Sequence, residues 1–167
     1  GSEKLSKDAK QLAKAIDDKS ITVNVTTTES PLGPSGGLFI GGSFLGNTVT
    51  KGSEGNTVVA EQAVNPNITE KMNAAAGTPG QQMLHEVTEA YQGGLISQKS
   101  GVSATAAMGN NKIYDKAHLK ATNGIPVYTN YFNSEGTQVP YGSPFSRREW
   151  FVVDRKGENV VIFKYGK

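Results

Sequence analysis

The strongest constraint on the fold is a segment near the middle of the chain that is marked as a helix at both ends. In residues 78–94, TPGQQMLHEVTEAYQGG, Thr78 is a candidate N-cap and Pro79 suits the first helical position. Gly93 and Gly94 predict the end of the helix. The fold must therefore accommodate at least one helix of roughly four turns.

This helix carries the residues that point to chemistry. At about 100° per residue, its apolar residues fall on one face, which is predicted to pack on the core. That face consists of Met83, Leu84, Val87, Ala90 and Tyr91. His85 and Glu89 lie one turn apart on the opposite side, where an i, i+4 pair can share one ligand. Glu86 projects about a quarter turn away, where it can reach a water on a bound metal.

In the rest of the chain, the sequence predicts a first helix, then strands, then helices, then strands again. Alternating or β-branched segments predict strands, and apolar residues at helical spacing predict three further helices. The strands are expected in residues 21–28, 38–50, 56–64, 127–132 and, as a hairpin, 148–165; the helices are expected in Ser6–Ile16, with Ser6 as its cap, Thr69–Ala76 and Lys112–Ala121. SPLGPSGG, residues 30–37, and the segment 97–111 are expected to be loops.

The order of these elements favours an α+β fold over a doubly wound one, because there is no regular βαβ alternation. We expect a mostly antiparallel sheet, on which a metal-site helix and a second short helix pack. A length of 167 residues predicts one domain spanning residues 1–167. Gly1-Ser2 is typical of a cleaved expression tag, so residues 1–5 are expected to be disordered.

Composition excludes several function classes. There is no cysteine, so a metal must be held by His, Asp or Glu. A net charge of +2 gives no argument for a nucleic-acid partner. No apolar run approaches the roughly 20 residues that span a bilayer, so no membrane partner is expected.

The chain has two histidines, and the second, His118, lies within the predicted helix at 112–121. Two histidines and one carboxylate, with a fourth position left for water, form a catalytic zinc ligand set. We therefore predict one Zn²⁺, or another divalent metal, held by His85, Glu89 and His118. Asp115 could accept a hydrogen bond from an imidazole N–H, or replace Glu89 as the carboxylate ligand.

Such a site predicts hydrolysis. Zinc lowers the pKa of a bound water to about 7, and Glu86 is the candidate general base for that water. A donor is also needed for the developing oxyanion. The candidates are Tyr91, Tyr114, Tyr128 and Tyr131. Tyr128 and Tyr131, from the strand after the second helix, are preferred because Tyr91 falls on the predicted core face.

Two resemblances bear on these predictions. Residues 77–101, followed by YDKAH and EWFVV, resemble C-terminal domains of RHS-type polymorphic toxin proteins and related uncharacterised bacterial proteins, over about residues 37–155. This resemblance implies a bacterial effector that is secreted or delivered as part of a larger protein, with an immunity or other partner protein.

The HEVTE helix alone is similar to that of zincin-like metallopeptidase domains, whose motif is HExx(E/H). It implies that His85 and Glu89 bind the metal, that Glu86 is the catalytic base, and that the substrate is a protein or peptide.

Two alternative functions are also compatible with these residues. In a metal-independent nuclease-type toxin domain, His85 and His118 would be general base and acid. Arg147, Arg148 or Lys120 would contact the phosphate. The two glutamates of the motif are unfavourable beside a phosphate unless a metal offsets their charge. A non-catalytic interaction domain would instead leave the motif on the solvated surface and bind no metal.

Overall fold

The structure is a computed structural model that describes residues 6–30, 39–106 and 112–166. Residues 1–5, for which disorder is expected, lie outside these ranges. So do most of the predicted loop at 30–37 and the end of the predicted loop at 97–111. The described elements are α1 (Lys7–Asp17), β1 (Ile21–Thr27), β2 (Gly42–Thr50), β3 (Thr57–Val64), α2 (Pro66–Ala76), α3 (Gln81–Ser100), α4 (Lys112–Lys120), β4 (Tyr128–Phe132), β5 (Gln138–Val139), β6 (Arg147–Val153) and β7 (Asn159–Gly166).

The α+β fold predicted from the sequence is confirmed. The strands form a three-stranded sheet in the order β1-β3-β2 and a four-stranded sheet in the order β5-β4-β6-β7. The predicted hairpins β2–β3 and β6–β7 are both antiparallel. One pair, β1–β3, is parallel, with β1 on the edge of β3 opposite to β2.

The start of α3 differs from the sequence prediction. Thr78 is not its N-cap: the helix begins at Gln81, after Gly80 in a left-handed conformation with φ of 76°. The cap comes instead from α2, where the side-chain oxygen of Asn73 accepts a hydrogen bond from the backbone N–H of Gln82 at 3.0 Å. A neighbouring helix therefore satisfies the donor that a local cap would have served.

The end of α3 also differs. Gly93 and Gly94 do not end the helix, which continues to Ser100, so the predicted loop at 97–111 begins later. A Cβ at Gly94 would lie 2.8 Å from Cγ2 of Ile21, and one at Gly93 would lie 3.1 Å from the Phe44 ring. These glycines allow the helix to approach the three-stranded sheet closely, which is a packing role that mimics a stop signal in the sequence.

The prediction of the core face of α3 was wrong in part. Ala90 and Tyr91 are buried, but Met83, Leu84 and Val87 are only half-buried. The buried residues of the helix are mostly polar, and include Gln82, His85, Glu86, Thr88, Glu89 and Ser97. The reason is that α3 packs against the three-stranded sheet and against α1, α2 and α4, so that it is enclosed on several sides.

The other helices lie close to their predicted positions. Ser6 caps α1 by accepting a hydrogen bond from the backbone N–H of Ala9 at 3.1 Å, as predicted. The second helix starts three residues before the predicted Thr69, at Pro66, because Asn65 caps it. Among the helices of the described ranges, none is long and apolar enough to cross a bilayer.

Candidate metal centre

Three side chains from two helices converge on one point. His85 and Glu89 come from α3, and His118 comes from α4. One ligand atom from each lies within 4.8 Å of the others, so this group could hold a metal ion. His85 and Glu89 are 5% and 2% exposed, whereas the His118 side chain is 50% exposed. This group is therefore buried at His85 and Glu89 and open to solvent at His118.

The ring of His85 is oriented by a backbone carbonyl. Its Nδ1 atom lies 2.6 Å from the carbonyl oxygen of Thr122. Because a carbonyl oxygen only accepts hydrogen bonds, Nδ1 carries the proton, and in the neutral ring the lone pair is on Nε2. That Nε2 atom lies 3.7 Å from Oε2 of Glu89. The lone pair that a metal requires is thus on the nitrogen beside the carboxylate.

Thr122 is itself held by α3. The hydroxyl of Thr88 accepts a hydrogen bond from the backbone N–H of Thr122 at 3.1 Å and donates to the carbonyl of Leu84 at 2.8 Å. Gly124 lies close by, where a Cβ would be 3.2 Å from the ring of His85. The segment after α4 therefore fixes both the position and the tautomer of His85.

His118 and His85 share the same carboxylate. Nδ1 of His118 lies 2.5 Å from Oε2 of Glu89, the oxygen that also faces His85. The two imidazole rings meet edge to face, with centroids 4.8 Å apart and planes at 86°. The group thus offers two imidazole nitrogens and one carboxylate oxygen as possible ligands of a metal ion.

Glu86 stands beside this group and has its own supports. Its Oε2 accepts a hydrogen bond from Gln62 Nε2 at 2.6 Å, and its Oε1 accepts one from Gln82 Nε2 at 2.8 Å. Gln82 in turn accepts a hydrogen bond from the backbone N–H of Ile125 at 2.9 Å. Burial, reinforced by the charge of Glu89, raises the pKa of Glu86 to about 8 against the effect of these two amide donors.

A cavity of about 320 Å³ opens onto the site. Its polar lining includes the three candidate ligands together with Glu86 and Tyr114. Its apolar lining residues are Ile40, Met72, Ile125, Pro126 and Val127. A substrate in this cavity would meet the candidate metal position and Glu86 together.

The predicted tyrosines are not all brought to this cavity. Tyr128 stacks on Phe151 with centroids 5.5 Å apart, and Tyr131 packs against Phe145 at 5.1 Å; neither lines the cavity. Tyr91 donates a hydrogen bond to Asp18 at 2.9 Å. Tyr114 does line the cavity, and burial together with the charges of the glutamates raises its pKa, so its hydroxyl keeps its proton.

Asp115 is exposed on α4, as His118 is, and its predicted role stays a prediction. The ring of His85 is oriented by the carbonyl of Thr122. Sequence reasoning missed the supporting residues Gln62, Gln82 and Thr88. Gln82 precedes Glu86 by one helical turn, a spacing at which such side chains meet, so this signal was available. Gln62 lies in a distant strand and gave none.

No protein-family model matches the chain, and comparisons with curated proteins and with solved structures find no significant similarity. Function must therefore be argued from the site itself.

Proposed function

We propose that this chain is a zinc-dependent hydrolase domain that cleaves peptide bonds. The observation that supports the proposal best is the convergence of His85, Glu89 and His118 at a cavity that also contains Glu86. Burial of Glu89 between two imidazoles favours a cation, because a buried carboxylate is costly unless opposite charge compensates it. Zinc is preferred among divalent metals because imidazole nitrogen and carboxylate oxygen are its usual ligands in cysteine-free sites.

The proposed mechanism assigns one task to each side chain. His85, Glu89 and His118 would hold a zinc ion, which would supply a Lewis acid when bound. Glu86 would accept the proton of the attacking water, because the positive charge of an ion beside it would lower the pKa that burial raises. Its two amide donors orient the carboxylate and leave it further lone pairs. Tyr114, which stays protonated, would donate a hydrogen bond to the oxyanion that develops on the substrate carbonyl.

The resemblance to C-terminal domains of RHS-type toxin proteins extends the proposal to a biological setting. In that setting the domain would be delivered as part of a larger bacterial protein and would act on a protein or peptide, with an immunity protein as its natural antagonist. This extension rests on the sequence resemblance, and the proposed chemistry does not depend on it.

The experiment compares hydrolysis of a fluorogenic peptide library by zinc-loaded protein, by chelated protein and by the Glu86→Gln variant. We expect turnover only with zinc, and a loss of at least about 100-fold in the variant with its zinc retained. The variant should fold, because the amide of Gln62, whose Oε1 is buried and unpartnered, can rotate to accept a hydrogen bond from the new amide. Glu70→Gln, an exposed change on the neighbouring helix, is the matched control.

The outcomes separate the candidate functions. Peptide hydrolysis that persists in excess chelator would contradict the proposal. Cleavage of RNA or DNA in chelator, lost when either histidine is replaced, would support the nuclease alternative. Absence of both activities and of bound zinc would favour a non-catalytic interaction domain.

A further inference from the structure

A groove distinct from the candidate metal centre lies between α1, α3 and the end of α4. It has a volume of about 490 Å³. Four lysines line its rim, namely Lys7, Lys10 and Lys14 from α1 and Lys120 from α4, and its floor is formed by Tyr91, Gln92 and Leu95 from α3. The side-chain amide of Gln11 donates a hydrogen bond to the carbonyl of Lys120 at 2.9 Å, which joins α1 to the end of α4.

Among the residues that the structure describes, no acidic residue lines this groove. None of the four lysines forms an ion pair there. The three lysines of α1 repeat at intervals of three and four residues, a spacing at which like charges destabilise a helix. Lys7 also stands at the helix N-terminus, where a cation is unfavourable. An anionic partner would offset each of these costs.

The lining of the groove favours an acidic polypeptide over a nucleic acid. No arginine lines it, and arginine is the usual residue for bidentate binding of phosphate. Tyr91 is 5% exposed and its hydroxyl is bonded to Asp18, so its ring presents no face on which a base could stack. Leu95 is half-buried and adds an apolar surface to the floor. That surface suits an apolar side chain that lies between acidic residues of a bound polypeptide.

We propose that this groove docks an acidic segment of a partner protein. Its carboxylates would meet the four lysines, while an apolar side chain would rest on Leu95. The carboxylate of Asp18, which accepts the Tyr91 hydroxyl, lies beside this floor and would disfavour acidic groups at that end. The site is independent of the metal centre and of any hydrolytic activity.

The test uses a fluorescently labelled twelve-residue peptide of repeating Glu-Glu-Leu units, with binding followed by anisotropy at moderate salt. The groove variant is Lys7→Gln, Lys10→Gln and Lys14→Gln together. Its matched control is Lys51→Gln, Lys71→Gln and Lys156→Gln, which removes the same charge from exposed positions elsewhere. A DNA oligonucleotide of equal charge and a vesicle containing anionic lipid serve as competing probes.

We expect the groove variant to bind the peptide about tenfold more weakly, as three small ion-pair contributions predict, and the control to bind it nearly as wild type does. Leu95→Gln should weaken binding of this peptide but not of poly-glutamate. Equal weakening by both triple variants, or no binding by the wild type, would overturn the proposal. Tighter binding of DNA or vesicles through the same lysines would overturn it in favour of that partner.

Discussion

His85 and Thr122 form the contact that orients the candidate metal centre. The carbonyl oxygen of Thr122 lies 2.6 Å from Nδ1 of His85 and holds the proton on that nitrogen. The other ring nitrogen is left with its lone pair toward Glu89. A backbone group that comes 37 residues later in the chain thus prepares a helix residue for metal binding.

This relationship predicts the effect of changing Thr88, whose hydroxyl holds the N–H of Thr122. Thr88→Val removes the acceptor and leaves that buried N–H unpaired, at a cost of about 1–3 kcal/mol in the free energy of unfolding. Because the Thr122 carbonyl is then less well held, zinc affinity should fall at least about tenfold. Competition with a chromophoric chelator measures that affinity.

Thr88→Ser is the matched control, since it retains the hydroxyl and should bind zinc nearly as tightly as the wild type. If Thr88→Val lost stability but kept the wild-type zinc affinity, the orienting role of Thr122 would be wrong.

Zinc should also stabilise the fold as a whole, because the ion would join α4 to α3 through His118 and Glu89. At a free zinc concentration 100 times the dissociation constant, a single site adds about 2.7 kcal/mol to the free energy of unfolding. Glu89→Gln should lose nearly all of this gain, and Glu70→Gln should retain it. Urea unfolding with and without zinc tests the expectation, which fails if all three proteins respond equally.

The close approach of α3 to the sheet gives a prediction that is independent of any metal. Alanine is a better helix former than glycine by about 1 kcal/mol, so Gly94→Ala would be stabilising if space allowed. The new Cβ would lie 2.8 Å from Cγ2 of Ile21, and we therefore expect a net destabilisation of about 1–3 kcal/mol.

A double-mutant cycle identifies the cause of this effect. In an Ile21→Ala background the crowding atom is gone, so Gly94→Ala should be neutral or stabilising in urea unfolding. An equal loss in both backgrounds would show that contact with Ile21 is not the reason for the glycine.

Gly94 also illustrates why some boundaries of the fold could not be predicted. A pair of glycines after a helical pattern usually ends a helix, and only the position of Ile21 shows that here they serve packing. Local signals succeeded where the partner is nearby in sequence, as with Ser6, whose side chain caps the next turn. They failed at Thr78, because the cap of α3 comes from Asn73 in another helix.

The candidate site could also be predicted only where it depends on residues that are close in sequence. The spacing of His85 and Glu89 is a property of one helix, and the structure keeps them together. Their burial was not predictable, because periodicity assigned the core to the apolar face and gave no sign that α3 would be enclosed. The choice of tyrosine depended on where a distant strand lies, and the structure brings Tyr114 to the cavity in place of Tyr128 or Tyr131.

Asp18 gives a prediction about pH. Burial alone would raise its pKa, but hydrogen bonds from the Ser20 hydroxyl and backbone, from Tyr91 and from the Ile21 backbone outweigh that effect and lower it below 3.8. A lowered pKa in the folded state means that Asp18 stabilises the fold above about pH 4 and loses this contribution as pH falls through its folded pKa.

Asp18→Asn should therefore be less stable than the wild type at pH 7, and the difference should shrink below pH 4. Asp17→Asn, at the exposed neighbouring position, is the control and should show little difference at either pH. Thermal unfolding across this range measures both, and a difference that stays constant down to pH 2 would contradict the assignment.

The central claim, that His85, Glu89 and His118 form a metal centre, is tested most directly by zinc stoichiometry. Protein purified without chelator, offered zinc and then dialysed, would be measured by elemental analysis beside His85→Ala, Glu89→Gln and His118→Ala. We predict one zinc per wild-type chain and a large loss in each variant. Less than stoichiometric zinc in the wild type, or full retention in all three variants, would contradict the claim.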